Sequence, residues 1–376
     1  MKKVLICTGF LLSAPAMAQM KDWKLGAVLD VTHTSKELGL GQRQSGLALG
    51  HSDVMAQGPL GDYFSAQFGV ATHSHEKKIE TELEEAWLQT RVLPFGLQAR
   101  VGRFGSQIGY QNEQHPHADD FSERPLLYRA FLGGHWFDDG VRLNWTAPTA
   151  LYLSFGAEVF RGKQLVQEAI PSPQFGIGTL TAKLGGDVGL SHSWQVGLSR
   201  VHNKREALLE DEHNHHDHEG EEHGEEEHNH AHGALFQGKK MWMADLTWKW
   251  SPDGNNQREQ IKFNAEFARV SQLNRFATPS DKHYASSISL VWRFDPSWEI
   301  GGRMDRLKVS TPHGDHFHAG RLKEDSVSLA WKQSHRQVVR LQVAQQRDAY
   351  GMDHFTKRSV QLQTIFSFGA HGAHTF

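Results

Sequence analysis

Apolar and polar side chains alternate along most of the chain. In residues 151–160 the apolar side chains occupy every second position, and the pattern returns in 242–250, 261–267 and 360–368. Because successive side chains of a strand point to opposite faces, each segment predicts a β-strand with one apolar and one polar face. A soluble β-sandwich shows the same alternation in shorter strands. Segments of about ten residues, the length that a tilted strand needs to cross a bilayer, favour a membrane β-barrel.

Sixteen segments of this kind follow one another. They are predicted at 23–32, 45–56, 62–72, 83–93, 97–104, 139–146, 150–160, 177–188, 193–202, 240–250, 259–270, 284–294, 298–309, 322–334, 337–347 and 359–368. An even number of strands closes a sheet without an exposed edge. We therefore expect an all-β fold, a transmembrane antiparallel β-barrel of about 16 strands with long extracellular loops. Fourteen or eighteen strands stay open, because a weak segment such as 139–146 can be assigned either way.

Long and short connections alternate between these predicted strands. The short ones carry turn residues, as in 57–61, 94–96 and 251–254. The long ones are 33–44, 73–82, 105–138, 161–176, 203–239, 271–283, 310–321 and 348–358. Outer-membrane barrels have short periplasmic turns and long extracellular loops, so the long connections are predicted to lie on the extracellular side.

Residues 1–18 have the pattern of a secretory signal peptide. Lys2 and Lys3 precede the apolar run 4–12, and Ala16-Met17-Ala18 forms a cleavage site before Gln19. An uncleaved anchor is the alternative interpretation. Residues 19–376 are predicted to be the outer-membrane barrel. Cys7, the one cysteine of the sequence, lies within the signal peptide, so the mature chain has neither disulfides nor thiolate metal ligands.

The composition agrees with a barrel and not with a bundle of membrane helices. Hydrophobic residues make up only 38% of the sequence, which is low for membrane helices. The sequence is rich in glycine and phenylalanine, with 36 and 21 residues respectively. Tryptophans at the predicted strand ends are expected to form aromatic girdles; they are Trp23, Trp87, Trp145, Trp194, Trp250, Trp292 and Trp298. The C-terminal Phe376 resembles the recognition signal of the barrel-assembly machinery. That machinery and the outer-membrane lipid are therefore expected partners.

The region 115–145 contains Arg124-Pro125, Tyr128-Arg129-Ala130 and Asp138-Asp139-Gly140-Val141. It resembles the third-loop region of the phosphate-selective porin (O/P-type) superfamily. The tail 366–376 resembles the ends of porin-like outer-membrane proteins associated with zinc limitation.

In such porins the third loop folds into the lumen and its arginines attract anions. The resemblance therefore implies that 105–138 is a pore-constricting loop and that the chain forms a homotrimer. It also implies candidate constriction residues, namely Arg100, Arg103, Arg124 and Arg129. Long loops are uncommon unless they are functional or disordered, and the apolar patch 125–132 would pack against a wall. A loop folded over the barrel rim is the alternative.

The extracellular loop 203–239 contains a segment, 210–233, of histidines and acids without lysine or arginine. Its candidate metal ligands are His213, His215, His216, His218, His223, His228, His230 and His232. Neutral imidazole binds Zn²⁺, Ni²⁺ and Cu²⁺, and carboxylates can complete the coordination shell. A disordered, solvated loop is the alternative, since almost no apolar residue occurs here. The two interpretations are compatible.

A second dense cluster is predicted at His313, Asp315, His316 and His318. Other histidines also fall on or beside the predicted outer loops: His33, His73, His75, His115, His117, His202, His283 and His354. Their concentration on one side predicts a mouth that attracts metal ions.

The charge pattern leaves the permeant ion open. The full chain has a net charge of −3, but ten of its 43 acidic residues lie in 210–233, and the remainder of the chain has a net charge of +7. An acidic vestibule concentrates cations, whereas arginines in a constriction favour anions.

We expect a porin-like channel in the Gram-negative outer membrane that assists uptake of divalent metal, zinc first. A surface metal-sequestering or interaction protein anchored by a barrel and an anion porin of the phosphate type are the alternatives. Nucleic acid is not an expected partner. An enzyme is not expected, because G-x-S-x-G and H-E-x-x-H motifs are missing from the sequence. A TonB-dependent transporter would need about 22 strands around a plug, for which the chain is too short.

Overall fold

The computed structural model describes residues 22–75, 78–166, 169, 173–205, 238–313, 316–334, 336–351 and 356–369. Within these residues no helix is long and apolar enough to cross a membrane. The predicted signal peptide, the segment 210–233 and Phe376 lie outside the described residues.

Sixteen antiparallel strands form one closed sheet. They are β1 (Lys24–Thr34), β2 in two pieces (Gly46–Leu49 and Ser52–Leu60), β3 (Phe64–His75), β4 (Lys78–Thr90), β5 (Leu97–Gly105), β6 (Phe137–Thr146), β7 (Tyr152–Phe160), β8 (Ile177–Val188), β9 (His192–Asn203), β10 (Lys240–Trp250), β11 (Gln260–Ser271), β12 (Lys282–Asp295), β13 (Trp298–His313), β14 (His316–Ser334), β15 (Gln337–Arg347) and β16 (Arg358–Gly369). Each strand pairs with its neighbour in sequence, and β1 also pairs with β16, from Gly26 opposite Gly369 to Thr34 opposite Gln361. The predicted barrel of sixteen strands is confirmed.

The alternation of the sequence becomes two faces of the barrel. Outward side chains such as Phe68, Val101 and Leu290 are at least half exposed and form an apolar belt. Inward side chains such as Thr247 and Gln342 are polar and buried. An apolar outer surface and a hydrogen-bonded, closed sheet satisfy the conditions for residence in a bilayer.

The strands differ from the prediction mainly at their extracellular ends. The hairpin of β13 and β14 continues to His313 and His316, so most of the predicted loop 310–321 is strand. The β3–β4 hairpin likewise extends through most of the predicted loop 73–82. Polar residues broke the apolar alternation there, but ladder pairing does not require an apolar face once the strand has left the membrane.

The long connection between β5 and β6, residues 106–136, lies inside the barrel, and we call it the lumen loop. It contains a short 3-10 turn, Pro116–Ala118, and one α-helix, α1 (Leu126–Leu132), whose residues are all buried. The helix packs against β12 and β13. Inward side chains near the extracellular ends of β10–β14 are apolar and cover it; they include Met243, Ala268, Ala285, Leu307 and Leu322. A buried apolar helix face explains why this loop stays inside the lumen.

Polar contacts hold the remainder of the lumen loop to the wall around most of the barrel. Wall arginines donate to its backbone: Arg303 to Glu123 O at 2.6 Å and Arg340 to Asp119 O at 2.6 Å. Loop groups bond to wall side chains as well, because the Tyr128 hydroxyl donates to Glu266 on β11. The loop thus fills much of the lumen cross-section. Its role as a pore constriction remains a prediction.

Candidate functional site: a histidine–carboxylate cluster in the lumen

Histidines and carboxylates meet where the lumen loop returns to the wall near the extracellular end. The wall contributes His51 and Asp53 from β2 and Glu84 from β4, and the loop contributes His115 and His135. We call these five residues the lumen cluster. His51 lies at the break between the two pieces of β2, and its imidazole is 8% exposed.

A β-bulge turns two consecutive glutamates of β4 inward. Gly69 pairs with Glu85 while Val70 pairs with Leu83, so Glu84 is the extra residue. Glu84 and Glu85 are both buried, whereas the alternation of a regular strand would expose one of them on the outer face. The bulge therefore doubles the carboxylates available at this level of the wall.

The end of α1 places His135. Gly133 caps the helix in the left-handed conformation at φ 65°, and Gly134 continues at φ 99°. Glycine reaches these angles without a steric penalty, and the turn brings the chain back to the wall one residue later. His115 stands directly before the 3-10 turn at Pro116 on the other arm of the loop. The cluster thus joins both arms of the loop to two strands.

Glu84 lies at the centre of the cluster. Its Oε2 atom is 3.2 Å from His51 Nε2 and 3.4 Å from His115 Nδ1, and its Oε1 atom is 3.2 Å from His135 Nε2. Asp53 Oδ2 lies 3.8 Å from both His51 Nε2 and His115 Nδ1. Among the described residues, two triads have ligand atoms within 4.8 Å of one another: His51, Glu84 and His135, and His51, Asp53 and His115.

These separations match those of ligands around one zinc ion. Zinc binds nitrogen and oxygen at roughly 2.0–2.1 Å in a tetrahedron, which places two ligands about 3.3 Å apart. Several of the atoms are buried and make no hydrogen bond of normal geometry, including His51 Nε2, both oxygens of Asp53 and Glu84 Oε1. Buried polar atoms without hydrogen bonds are costly, and a bound cation would satisfy them. The residues present therefore fit a divalent metal ion.

The ionisation of the cluster histidines bears on metal binding, because a bound cation must replace any proton on its imidazole ligands. In the described part of the chain, the ion-pair partners of Asp53 and Glu84 are histidines. Burial lowers the pKa of His115, but its hydrogen bonds to Glu84 and Glu85 outweigh burial and hold that pKa well above the usual value. Burial lowers the pKa of His135, and Glu84 offsets only part of this effect. The lowered pKa favours the neutral imidazole of His135, which is the form that coordinates metal.

A cavity of about 60 Å³ adjoins the cluster. Its lining includes His51 and His135 of the cluster, together with His73, Arg43 and Asp119. It gives the cluster a space in which water and an ion fit.

The four predicted constriction arginines have different positions. Arg100 faces the lumen, donates to Gln89 Oε1 at 2.8 Å and lies over the Trp87 ring at 4.1 Å. Arg124 and Arg129 are buried in the lumen loop and paired with Asp119 at 2.9 Å and Glu324 at 2.6 Å. Their positive charges are neutralised within the protein.

The placement of Arg103 does not agree with a role in the constriction. It pairs with Asp139 at 3.0 Å, on the face that carries the exposed Val101 and Val141. The side chain therefore points to the outside of the barrel, because Gly102 separates it from Val101 and alternation returns it to the same face.

The predicted surface ligands are only partly within the described residues. The eight histidines of 210–233 and Asp315 are outside them, and His313 ends β13. His316 and His318 are exposed on one face of β14, with their Nε2 atoms 3.1 Å apart. Two imidazoles at this distance can share one ion, but metal binding by the surface histidines remains a prediction.

Sequence reasoning missed His51, Asp53, Glu84 and His135 as a site. The sequence indicates His115 only as one of several histidines on or beside the predicted outer loops. One feature of the sequence does point to the site. The segment from Glu80 to Glu85 contains four glutamates, and it lies on β4, next to the strand β5 that leads into the loop carrying His115.

The closed sheet, the apolar belt and the loop-filled polar lumen define an outer-membrane β-barrel with a porin-like fold. The predicted location in the Gram-negative outer membrane is confirmed.

Solved structures of the same fold are outer-membrane proteins. OprB of Pseudomonas putida superposes with a TM-score of 0.60 and 12% identity, over 94% of this chain and 96% of that one. The anion-selective porin of Comamonas acidovorans gives 0.54 and 11%, over 93% and 99%. The channel DcaP of Acinetobacter baumannii gives 0.53 and 11%, over 92% and 96%.

No model of a known protein family matches the chain. A protein of Aquifex aeolicus (strain VF5), described as uncharacterized, is 30% identical to this chain. The alignment is 379 positions long and covers 92% of this chain and 73% of that protein. The chain belongs to the same family as this Aquifex aeolicus protein.

Proposed function

We propose that the protein is an outer-membrane channel that assists the passage of divalent metal ions, zinc first. The lumen cluster is the observation that carries this proposal. Its histidine and carboxylate ligands suit zinc, and they lie inside the barrel beside the loop that fills it. In this proposal the histidines of 210–233 concentrate metal at the mouth, and Ni²⁺ or Cu²⁺ can take the place of zinc.

A flux experiment tests the channel directly. The full chain is reconstituted into liposomes that enclose a zinc-sensitive dye, and Zn²⁺ is added outside. We expect entry to be faster than into protein-free liposomes, and to fall about tenfold in a Glu84→Gln variant, since loss of one ligand weakens a metal site at least that much. His192→Ala is the matched control, because His192 stacks on Trp248 at the opposite end of the barrel. Equal flux with and without the protein would refute the proposal.

An anion channel is the second candidate, and one comparison favours it, because a protein of the same fold is an anion-selective porin. Reversal potentials in a KCl gradient separate the two functions. The buried pairing of Arg124 and Arg129 supports the cation channel. A potential of the sign expected for chloride would instead favour the anion channel.

A barrel that only anchors a surface metal binder is the third candidate. It predicts zinc binding without conductance in planar bilayers. A homotrimer, the assembly in which OmpT of Vibrio cholerae was solved, is proposed here as well. Mass measurement of the detergent-solubilised protein tests it.

A further inference from the structure

The two triads of the lumen cluster share one residue. His51 belongs to the triad with Glu84 and His135, which we call the outer position, and to the triad with Asp53 and His115, which we call the inner position. The Nε2 atom of His51 makes the contacts in both triads. Since one imidazole nitrogen binds one ion at a time, the two positions cannot be filled together through it.

The outer position adjoins the cavity. His51 and His135 line that cavity, whereas Asp53 and His115 are absent from its lining among the described residues. Of the inner position, only His51 lines the cavity. In the inner position, the second nitrogen of His115, Nε2, lies 3.3 Å from Glu85 Oε2, which accepts from Gln67 on β3. A continuous series of ligands therefore runs from the cavity past His51 toward Glu85.

Each triad supplies three protein ligands, and His117 lies beside the inner one, with its Nδ1 atom 3.2 Å from Asp53 Oδ2. Three ligands plus one water is the arrangement of open, exchangeable zinc sites, whereas closed structural sites have four protein ligands. Passage through a channel requires sites that bind an ion well enough to admit it and weakly enough to release it, and adjacent sites with a shared ligand meet this requirement.

We propose that the lumen cluster binds a single zinc-type ion that exchanges between the outer and inner positions by rotating about His51. This inference rests on the proposed function, because it specifies how the permeant ion passes the lumen loop. His51 stays bound throughout, and the ion exchanges Glu84 and His135 of the outer position for Asp53 and His115 of the inner position.

The test compares three variants that differ in which position they remove. His135→Ala removes the outer position, Asp53→Asn removes the inner position, and His51→Ala removes both. His51→Asn also removes both positions, but its side chain fills more of the space that alanine would leave empty. His192→Ala is the control. All are made in the full chain with the eight histidines of 210–233 changed to asparagine, and folding is checked by the heat-dependent gel shift of the barrel.

Zn²⁺ titration calorimetry in detergent measures binding, and dye-loaded liposomes measure flux. We expect one ion per chain in the parent protein and at least about a tenfold loss of affinity in His51→Ala and His51→Asn. His135→Ala and Asp53→Asn should each keep one ion with a smaller loss of affinity, yet slow the flux as strongly as the His51 variants. Binding of two ions per chain, or equal loss of affinity in all variants, would overturn the exchange between two positions.

The result also separates this inference from the proposed function. A parent protein that binds zinc in the expected pattern but passes none refutes the channel and leaves the two-position site standing. Zinc flux that persists when His51 is replaced supports the channel and refutes the site.

Discussion

At the scale of single residues, the high cost of burying an unpaired charge determines how the lumen loop is held in place. Arg303 donates to Asp305 at 2.7 Å and to Glu324 at 3.2 Å, and Glu324 accepts from Arg129 of the lumen loop at 2.6 Å. Removing one member of a buried ion pair is costly, because the other charge is left buried without its partner. The loop therefore depends on wall charges that its own sequence does not reveal.

Replacing Arg129 should destabilise the docked loop. Its guanidinium and the Glu324 carboxylate are almost completely buried, so Arg129→Ala leaves a carboxylate held by Arg303 and Gln346. We expect a loss of about 3 kcal/mol in the free energy of unfolding, the lower end of the range for a broken buried pair. Urea unfolding in lipid, followed by tryptophan fluorescence, measures it.

Arg306→Ala is the matched control for this prediction. Arg306 pairs with Asp325 at 2.8 Å, but both side chains are more than a quarter exposed, so the pair contributes about 0–1 kcal/mol. Equal losses in the two variants would show that the buried network does not hold the loop.

At the scale of elements, the lumen loop is attached by acids as well as by its helix. Glu113 accepts from Arg142 at 2.9 Å and lies 3.5 Å from Lys183. Burial raises the pKa of Glu113, but Arg142, Lys183 and Arg100 together outweigh it, and the pKa lies below its ordinary value. The pKa of Asp120 is lowered in the same way by Lys262, which lies 2.5 Å away.

These shifts give the pH dependence of loop docking a definite sign. A carboxylate with a lowered pKa in the folded state stabilises that state above its unfolded pKa, and the contribution is lost as the pH falls through the folded pKa. The contribution of Glu113 and Asp120 to docking should therefore be constant from neutral pH to about pH 5 and weaken below about pH 4. Hydrogen exchange of residues 106–136 and single-channel conductance should both increase there.

Glu113→Gln removes part of this acid dependence. The variant should show a smaller rise in conductance between pH 5 and pH 3, while Asp62→Asn, in the exposed turn between β2 and β3, should behave like the parent. An unchanged pH profile in Glu113→Gln would mean that other groups dock the loop.

The strands and the lumen cluster differ in how well the sequence predicts them. Strands such as 240–250 and 259–270 were placed within a residue or so, because alternation is a local signal. The lumen cluster is not local: its ligands come from β2, β4 and both arms of the loop. The bulge at Glu84 also shifts the alternation, so Trp87, predicted for an aromatic girdle, faces the lumen and donates to Glu85.

At the scale of the whole molecule, the two faces of the sheet should respond differently to the same substitution. Val101 is 51% exposed at the middle of β5, on the outer face, while Gln98 faces the lumen side of the same strand. We expect Val101→Arg to destabilise the barrel by about 2–4 kcal/mol, the cost of a cation near the bilayer midplane. Gln98→Arg should cost much less, because its charge remains in contact with water.

Urea unfolding in liposomes measures both variants. A larger loss in Gln98→Arg than in Val101→Arg would contradict the assignment of the two faces. The same experiment in detergent should reduce the difference, since detergent adapts to a charged group more readily than a bilayer does.

The seam between β1 and β16 bears on how the protein is assembled. Glu123 of the lumen loop accepts from the backbone N–H of Gln42, in the connection between β1 and β2, at 2.9 Å and from Gln361 of β16 at 3.2 Å. This carboxylate thus contacts both the connection that follows β1 and the strand β16. Of all the paired strands, β1 and β16 are the farthest apart in the sequence. Closing so long a segment carries the largest entropic cost of any pairing in the sheet. A loop already seated inside the nascent barrel would act as a template on which the first and last strands meet, so the interior is completed before the wall is sealed.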